Sequence, residues 1–119
     1  MNDTHNISEE NGFIEINLLV HPDAHLIKSI IAELIERFPN ERRLWNLSRI
    51  VFDLEVTELE DIAKFGKRKV LETNKTAVYT PQDLAFGVIR QFIVYREAEN
   101  ESELKVFRDR DEAKVWLKA

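Results

Sequence analysis

Four short runs of β-branched, aromatic and large aliphatic residues alternate along this chain with four segments of helical periodicity, and that alternation constrains the fold more than any other feature. The runs are 12–20 (GFIEINLLV), 42–47 (RRLWNL), 75–80 (KTAVYT) and 104–108 (LKVFR). The second half of the first run is continuously apolar, as in a strand covered on both faces. Strands that alternate with helices imply a mainly parallel sheet, each strand reached by a helical crossover. No internal sequence repeat accompanies the alternation.

The helical segments carry their own punctuation. Leu26, Ile27, Ile30, Ile31, Leu34, Ile35 and Phe38 recur at helical spacing, with Pro22 near the first turn and Pro39-Asn40 ending the helix. Thr57 and Glu60 match a T-x-x-E capping box and predict the start of a second helix. Its inner face would be Leu59, Ile62, Ala63, Gly66 and Val70. Thr80 and Pro81 place a capping hydroxyl and a first-turn proline before a third helix that extends to about Glu97. After a charged turn at 99–103 and the last strand, Asp109 with Glu112 predicts the cap of a short helix burying Ala113, Trp116 and Leu117. An acidic cap lets a strand pass into a helix in two or three residues, so the junction needs no glycine. Residues 48–56 (SRIVFDLEV) carry no clear period. Residues 1–11 read as a disordered polar leader, and 12–119 as one domain.

Composition closes several function classes. A chain of 119 residues can remove roughly two-thirds of its unfolded surface from water, enough for a real core. With no cysteine there is no disulfide, thiolate nucleophile or cysteine metal site. The formal charge of −5 argues against a general nucleic-acid binder. No apolar run approaches a membrane span and the start is not a secretory signal, so a cytoplasmic location is the default expectation.

The segment VFRDRDEAKVWL (106–117), taken with LAFGVIR (84–90) and RRLWNL (42–47), resembles the small bacterial SpoIIAA-like proteins, stand-alone relatives of the STAS domain. The resemblance covers roughly residues 12–118. It implies an α/β fold of four βα units, with helices packed on a mainly parallel sheet, akin to the anti-anti-sigma factors and more loosely to the CRAL-TRIO lipid-transfer domains. Regulatory STAS proteins carry a phosphorylatable Ser or Thr after an Asp at the start of the second helix. Here Thr57 is the only hydroxyl in that region, and Glu55-Val56-Thr57-Glu58-Leu59 lacks the preceding Asp and following Gly. Thr57 is therefore a weak candidate phosphosite, and N-capping is its plainer role.

Other constellations are weak. His21-Pro22-Asp23-Ala24-His25 invites a metal reading, but Pro22 places His21 before the helix and no third ligand is evident. The carboxylates of Glu58-Leu59-Glu60-Asp61 and Asp109-Arg110-Asp111-Glu112 fall at predicted helix N-termini, where acidic residues are stabilising. The basic run 64–69 (KFGKRK) suits a helix C-terminus as well as it suits an anionic headgroup. No phosphate-cradling glycine loop or nucleophile motif is present.

The third helix is apolar around more of its circumference than one sheet contact requires, with Leu84, Ala85, Phe86, Val88, Ile89, Phe92, Ile93 and Tyr95 spanning a wide arc. Phe86, Ile89, Arg90 and Ile93 are accordingly the candidate interaction surface. The expected function is a non-catalytic binding or regulatory module, without a cofactor or metal, that acts through a protein partner or self-association. The alternative is an apolar or lipid-like small molecule held between helices.

Overall fold

The computed structural model describes residues 4–69, 75–97 and 104–119, with all their side chains except those of residues 63, 66–69, 92 and 94–97. Five strands form one sheet in the order β1 (His5–Glu10), β2 (Phe13–Leu18), β3 (Arg43–Asn46), β4 (Thr76–Tyr79) and β5 (Leu104–Phe107). The helices are α1 (Ala24–Arg37), α2 (Val56–Lys69), α3 (Asp83–Glu97) and α4 (Arg110–Lys118). Strands β2 to β5 are parallel and β1 is antiparallel to β2, so four βα units carry one added edge strand.

That added strand corrects the expectation of a disordered leader. Residues 5–10 pair with 13–18 from Glu10 against Phe13 to His5 against Leu18, through a two-residue turn at Asn11-Gly12. Gly12 has φ +97°, a left-handed conformation that a side chain disfavours, and an Asn-Gly pair between two strand-like runs is a strong hairpin signal. The polar composition that suggested disorder has a simple origin. His5 is buried and Ile7 packs against the core, while Asn6, Ser8, Glu9 and Glu10 are exposed. An edge strand that contributes so few inward residues reads as hydrophilic, and its charges discourage pairing with another chain. His5 Nε2 lies 3.1 Å from Glu33 Oε1 of α1 and ties the edge strand to the first helix.

Side-chain alternation along the parallel strands makes two cores. On one face Ile14, Ile16 and Leu18 of β2, Trp45 of β3 and Val106 of β5 pack with Ile27, Ile30 and Leu34 of α1, Leu59 and Ile62 of α2, and Ala85, Ile89 and Ile93 of α3. On the other face Phe13, Leu44, Ala77 and Phe107 meet Ala113 and Leu117 of α4. The last helix thus covers the face opposite to the other three. Trp116 is half-buried there, its ring 5.7 Å from that of Phe107. The end of α4 is held by two cations from the starts of strands: Arg42 donates to the Leu117 carbonyl, and Lys75 Nζ donates to the Trp116 carbonyl at 3.0 Å. Positive charge at a helix C-terminus complements the carbonyls left unpaired there.

The caps are partly as the sequence predicts. Asp109 caps α4, accepting from the Asp111 and Glu112 amides at 2.7 and 3.4 Å. Asp23 caps α1, accepting from the Leu26 amide at 2.7 Å. Pro22 consequently sits before the cap and not in the first turn. Thr57 does not cap α2: the helix starts one residue earlier, the Glu55 carbonyl accepts from the Leu59 amide, and Glu58 Oε1 accepts from the Glu55 amide at 3.1 Å. That reaching-back glutamate is half of a capping box shifted two residues toward the N-terminus. Likewise α3 begins beyond Thr80-Pro81, with the Gln82 carbonyl accepting from the Phe86 amide. The inner-face expectations for Ala63, Gly66 and Val70, those for the side chains of Phe92 and Tyr95, and the turn at 99–103 lie outside the described residues.

Residues 47–55, without a clear period in the sequence, form an ordered connection from β3 to α2. Leu47, Ile50, Phe52 and Leu54 are buried, while Arg49, Val51, Asp53 and Glu55 are exposed. The segment alternates like a strand without pairing as one.

Candidate functional site

Because β2, β3 and β4 are parallel neighbours, their carboxyl ends and following loops lie side by side along one edge of the sheet. In open α/β sheets this is the edge where ligands and partners are usually met. Two contacts stitch the loops together. His21 Nε2 lies 2.7 Å from Asp53 Oδ1, joining the β2–α1 loop to the β3–α2 connection. Gln82 Nε2 donates to the Ile50 carbonyl at 2.5 Å, joining that connection to the start of α3. Lys28 of α1 and Asp61 of α2 make a further ion pair.

The rim carries exposed apolar side chains among its polar ones. Among the described residues the exposed large hydrophobic side chains are Leu19, Val20, Val51, Val56, Leu84 and Val115. All but Val115 stand on this rim, and Leu84 and Val51 are the most open there, at 78% and 62% exposed. Single exposed aliphatic residues are ordinary, but their concentration on one edge is the pattern of a contact surface.

The candidate interaction surface on α3 is built differently from the expectation. Ile89 and Ile93 are buried, at 4% and 6% exposed, in the larger core, because α3 packs at once on β5 and on α2. These two neighbours cover Ile89 and Ile93, which were expected on an outward face. Phe86 is half-buried, and the Arg108 guanidinium stacks 4.4 Å above its ring while pairing with Asp83. Arg90 is exposed. Leu84, a member of the wide apolar arc, points to solvent on the rim.

Thr57 is exposed in the first turn of α2, beside the rim residue Val56 and flanked by Glu55 and Glu58. The histidines and aspartate of 21–25 do not converge. Asp23 is committed to the α1 cap, His21 faces Asp53, and among the described residues no group of three metal-ligating side chains comes together.

A polar network that the sequence reading did not find lies on the α4 face. Glu15 is buried mid-strand, and Arg110 from the first turn of α4 grips its carboxylate with two nitrogens, Nε at 2.9 Å and Nη2. Asn46 Nδ2 donates to the same carboxylate at 2.9 Å, and Asn46 Oδ1 accepts from the Ser48 amide and hydroxyl at 3.0 and 2.6 Å. The Arg110 hydrogen bond outweighs burial and, with Asn46, holds the Glu15 carboxyl below the usual glutamate range. The alternating charge in the apolar strand FIEINL was the available signal, since a glutamate inside a covered strand requires a partner. The chain order cannot say that the partner stands 95 residues away.

A four-unit parallel βα array with a fourth helix on the opposite face and a hairpin strand at its edge is the SpoIIAA-like α/β fold. The structure of an uncharacterised protein of the DUF3478 family with that fold, from Shewanella loihica PV-4, is similar to it with a TM-score of 0.62 and 17% sequence identity, over 95% of this chain and 91% of that one. At that identity the likeness establishes the architecture and carries no activity with it. No family model and no curated protein matches the chain. Among the described residues no helix is long and apolar enough to cross a membrane.

Proposed function

We propose that the protein is a non-catalytic binding or regulatory module of the bacterial cytoplasm, acting through protein–protein contact, self-association included, at the rim formed by the carboxyl ends of β2, β3 and β4. The observation that carries this reading is the clustering of Leu19, Val20, Val51, Val56 and Leu84 on loops already joined by the His21–Asp53 and Gln82–Ile50 contacts. Burying a leucine or valine side chain is worth roughly 1.5–3 kcal/mol, so even two of them at the centre of an interface would dominate its energy. The preorganised loops lower the ordering cost of docking. A non-catalytic role is supported by where the buried acid goes: Glu15 is engaged by Arg110 and Asn46 in fastening α4 to the sheet.

A photo-crosslinking residue placed at Val51 or at Leu84 tests the reading, with Val115 on α4 as the exposed control. The rim positions should give a discrete crosslinked species, a partner or a second copy, that the Val115 position does not. Equal crosslinking from all three positions would reject the rim as the contact surface.

A further inference from the structure

Asn11 and Gly12 form the tip of the β1–β2 hairpin, between the paired residues Glu10 and Phe13. Of the asparagines in the chain, Asn11 alone is followed by glycine. Both residues are exposed, and no atom lies within 4 Å of the place a Gly12 side chain would occupy. Among the described residues the Asn11 side chain makes no hydrogen bond and the Gly12 amide donates none. The two-residue turn explains this, because its closing bond runs between the residues that flank it. Gly12 is required here for its φ of +97°, and the same missing side chain leaves its amide nitrogen unshielded. A carboxamide and an unbonded backbone amide are thus chain neighbours at a tip open to water.

We propose that Asn11 is a site of spontaneous covalent modification, turning through a cyclic imide into isoaspartate and aspartate, and that the isoaspartate form loosens β1 from the sheet. The Gly12 nitrogen, once its proton passes to hydroxide, attacks Asn11 Cγ. A nitrogen–carbon bond forms, the Cγ–Nδ2 bond breaks, and Nδ2 takes a proton from solvent and leaves as ammonia. Solvent water then opens the ring at either carbonyl. Opening at Cγ gives aspartate on an unchanged backbone, whereas opening at the backbone carbonyl gives isoaspartate, whose chain runs through Cβ and Cγ. Asn6, Asn17, Asn40 and Asn46 are followed by Ile7, Leu18, Glu41 and Leu47, whose side chains crowd the same attack. Both products place a new negative charge beside Glu9 and Glu10. Only isoaspartate adds a backbone atom between Glu10 and Phe13, a separation that the two-residue turn fits. Phe13 is 1% exposed in the core beneath α4, so the misfit falls on β1, whose Asn6, Ser8, Glu9 and Glu10 are exposed. The contacts left to hold that strand are the packing of Ile7 and the reach of His5 to Glu33.

The full chain, kept folded in neutral and in mildly alkaline buffer and sampled over weeks, tests this by digestion and mass spectrometry with fragmentation that separates aspartate from isoaspartate. Asn11 should convert at least tenfold faster than Asn6 or Asn40, which are also exposed. The rate should rise nearly in proportion to hydroxide, with isoaspartate the major product. An Asn11 that stays intact in the folded chain while the urea-unfolded chain converts would overturn the proposal, because folding would then protect the site. Ion exchange isolates the modified fraction by its added charge. That fraction should melt below both the parent and Asn11→Asp, and its β1 amides should exchange hydrogen at least tenfold faster while those of α4 keep the parent's rates. A modified fraction with the parent's melting temperature and exchange rates would overturn the loosening of β1. Asn11→Ser, which keeps a turn-forming residue without the carboxamide, should show no change in melting over the same weeks, and a drift equal to that of the wild type would place the cause elsewhere and reject Asn11.

Discussion

Arg110 and Glu15 show how one pair can fasten a helix to a sheet. The glutamate is buried and the arginine about one-third exposed, so the pair is not a surface salt bridge of negligible worth. Removing the arginine leaves a buried carboxylate under α4 with the Asn46 hydrogen bond and the charge of Lys114 to stabilise it. Arg110→Met is therefore expected to cost about 1.5–3 kcal/mol, read as a lower urea midpoint. The pair also sets a pH dependence. The folded-state pKa of Glu15 is lowered by Arg110, and that of Glu33 is lowered by His5 and Arg37 against the opposing effect of burial. A depressed carboxyl contributes stability that is fully present above its unfolded value, about 4.3, and is lost as pH falls through the folded value. The wild type should thus lose stability steadily below about pH 4.3. The Arg110→Met variant should lose less over the same interval, because its Glu15 no longer titrates low. Denaturant midpoints at several pH values from neutral to acidic measure both slopes, and parallel slopes would show that the pair does not set them.

At the scale of the element, cap position separates what spacing suggests from what packing selects. T-x-x-E and E-x-x-E both stand at the head of α2, and the structure uses the second, with Glu58 bonded to the Glu55 amide. Val56 is consequently the first helical residue and Thr57 lies exposed inside the turn. Thr57→Ala should change stability by less than about 0.5 kcal/mol, as at other exposed positions without a special contact. Asp109→Ala should cost about 1 kcal/mol, since Asp109 accepts from two otherwise unpaired amides of α4. Thermal melts of the two variants side by side check the contrast, and equal losses would restore Thr57 as a cap.

At the scale of the molecule, β1 completes the sheet that α1 packs on. Its six residues pair along the whole of β2, Ile7 packs against the larger core, and His5 reaches Glu33. Deleting residues 1–11 should therefore cost several kcal/mol, because a ladder of hydrogen bonds near 1 kcal/mol each is lost and β2 becomes an open edge. A disordered leader would be removable without effect. The melting temperature of the truncated chain decides between these outcomes.

The order of strands and helices, the mainly parallel sheet and the acid-capped last helix were all legible in the chain, because each rests on local spacing. Period, capping residue and apolar run act within a few residues. β1 was missed, because its polar face reads as a disordered leader, although Asn11-Gly12 carried a hairpin signal. What only the tertiary structure decided depends on neighbours distant in sequence. α3 packs on both β5 and α2, and that burial turns Ile89 and Ile93 from a candidate surface into core. Glu15 finds its counter-charge on α4 only after the strands align. Periodicity tells which side chains must be hidden from water. Which element hides them, and which charges meet there, is set by how whole elements pack.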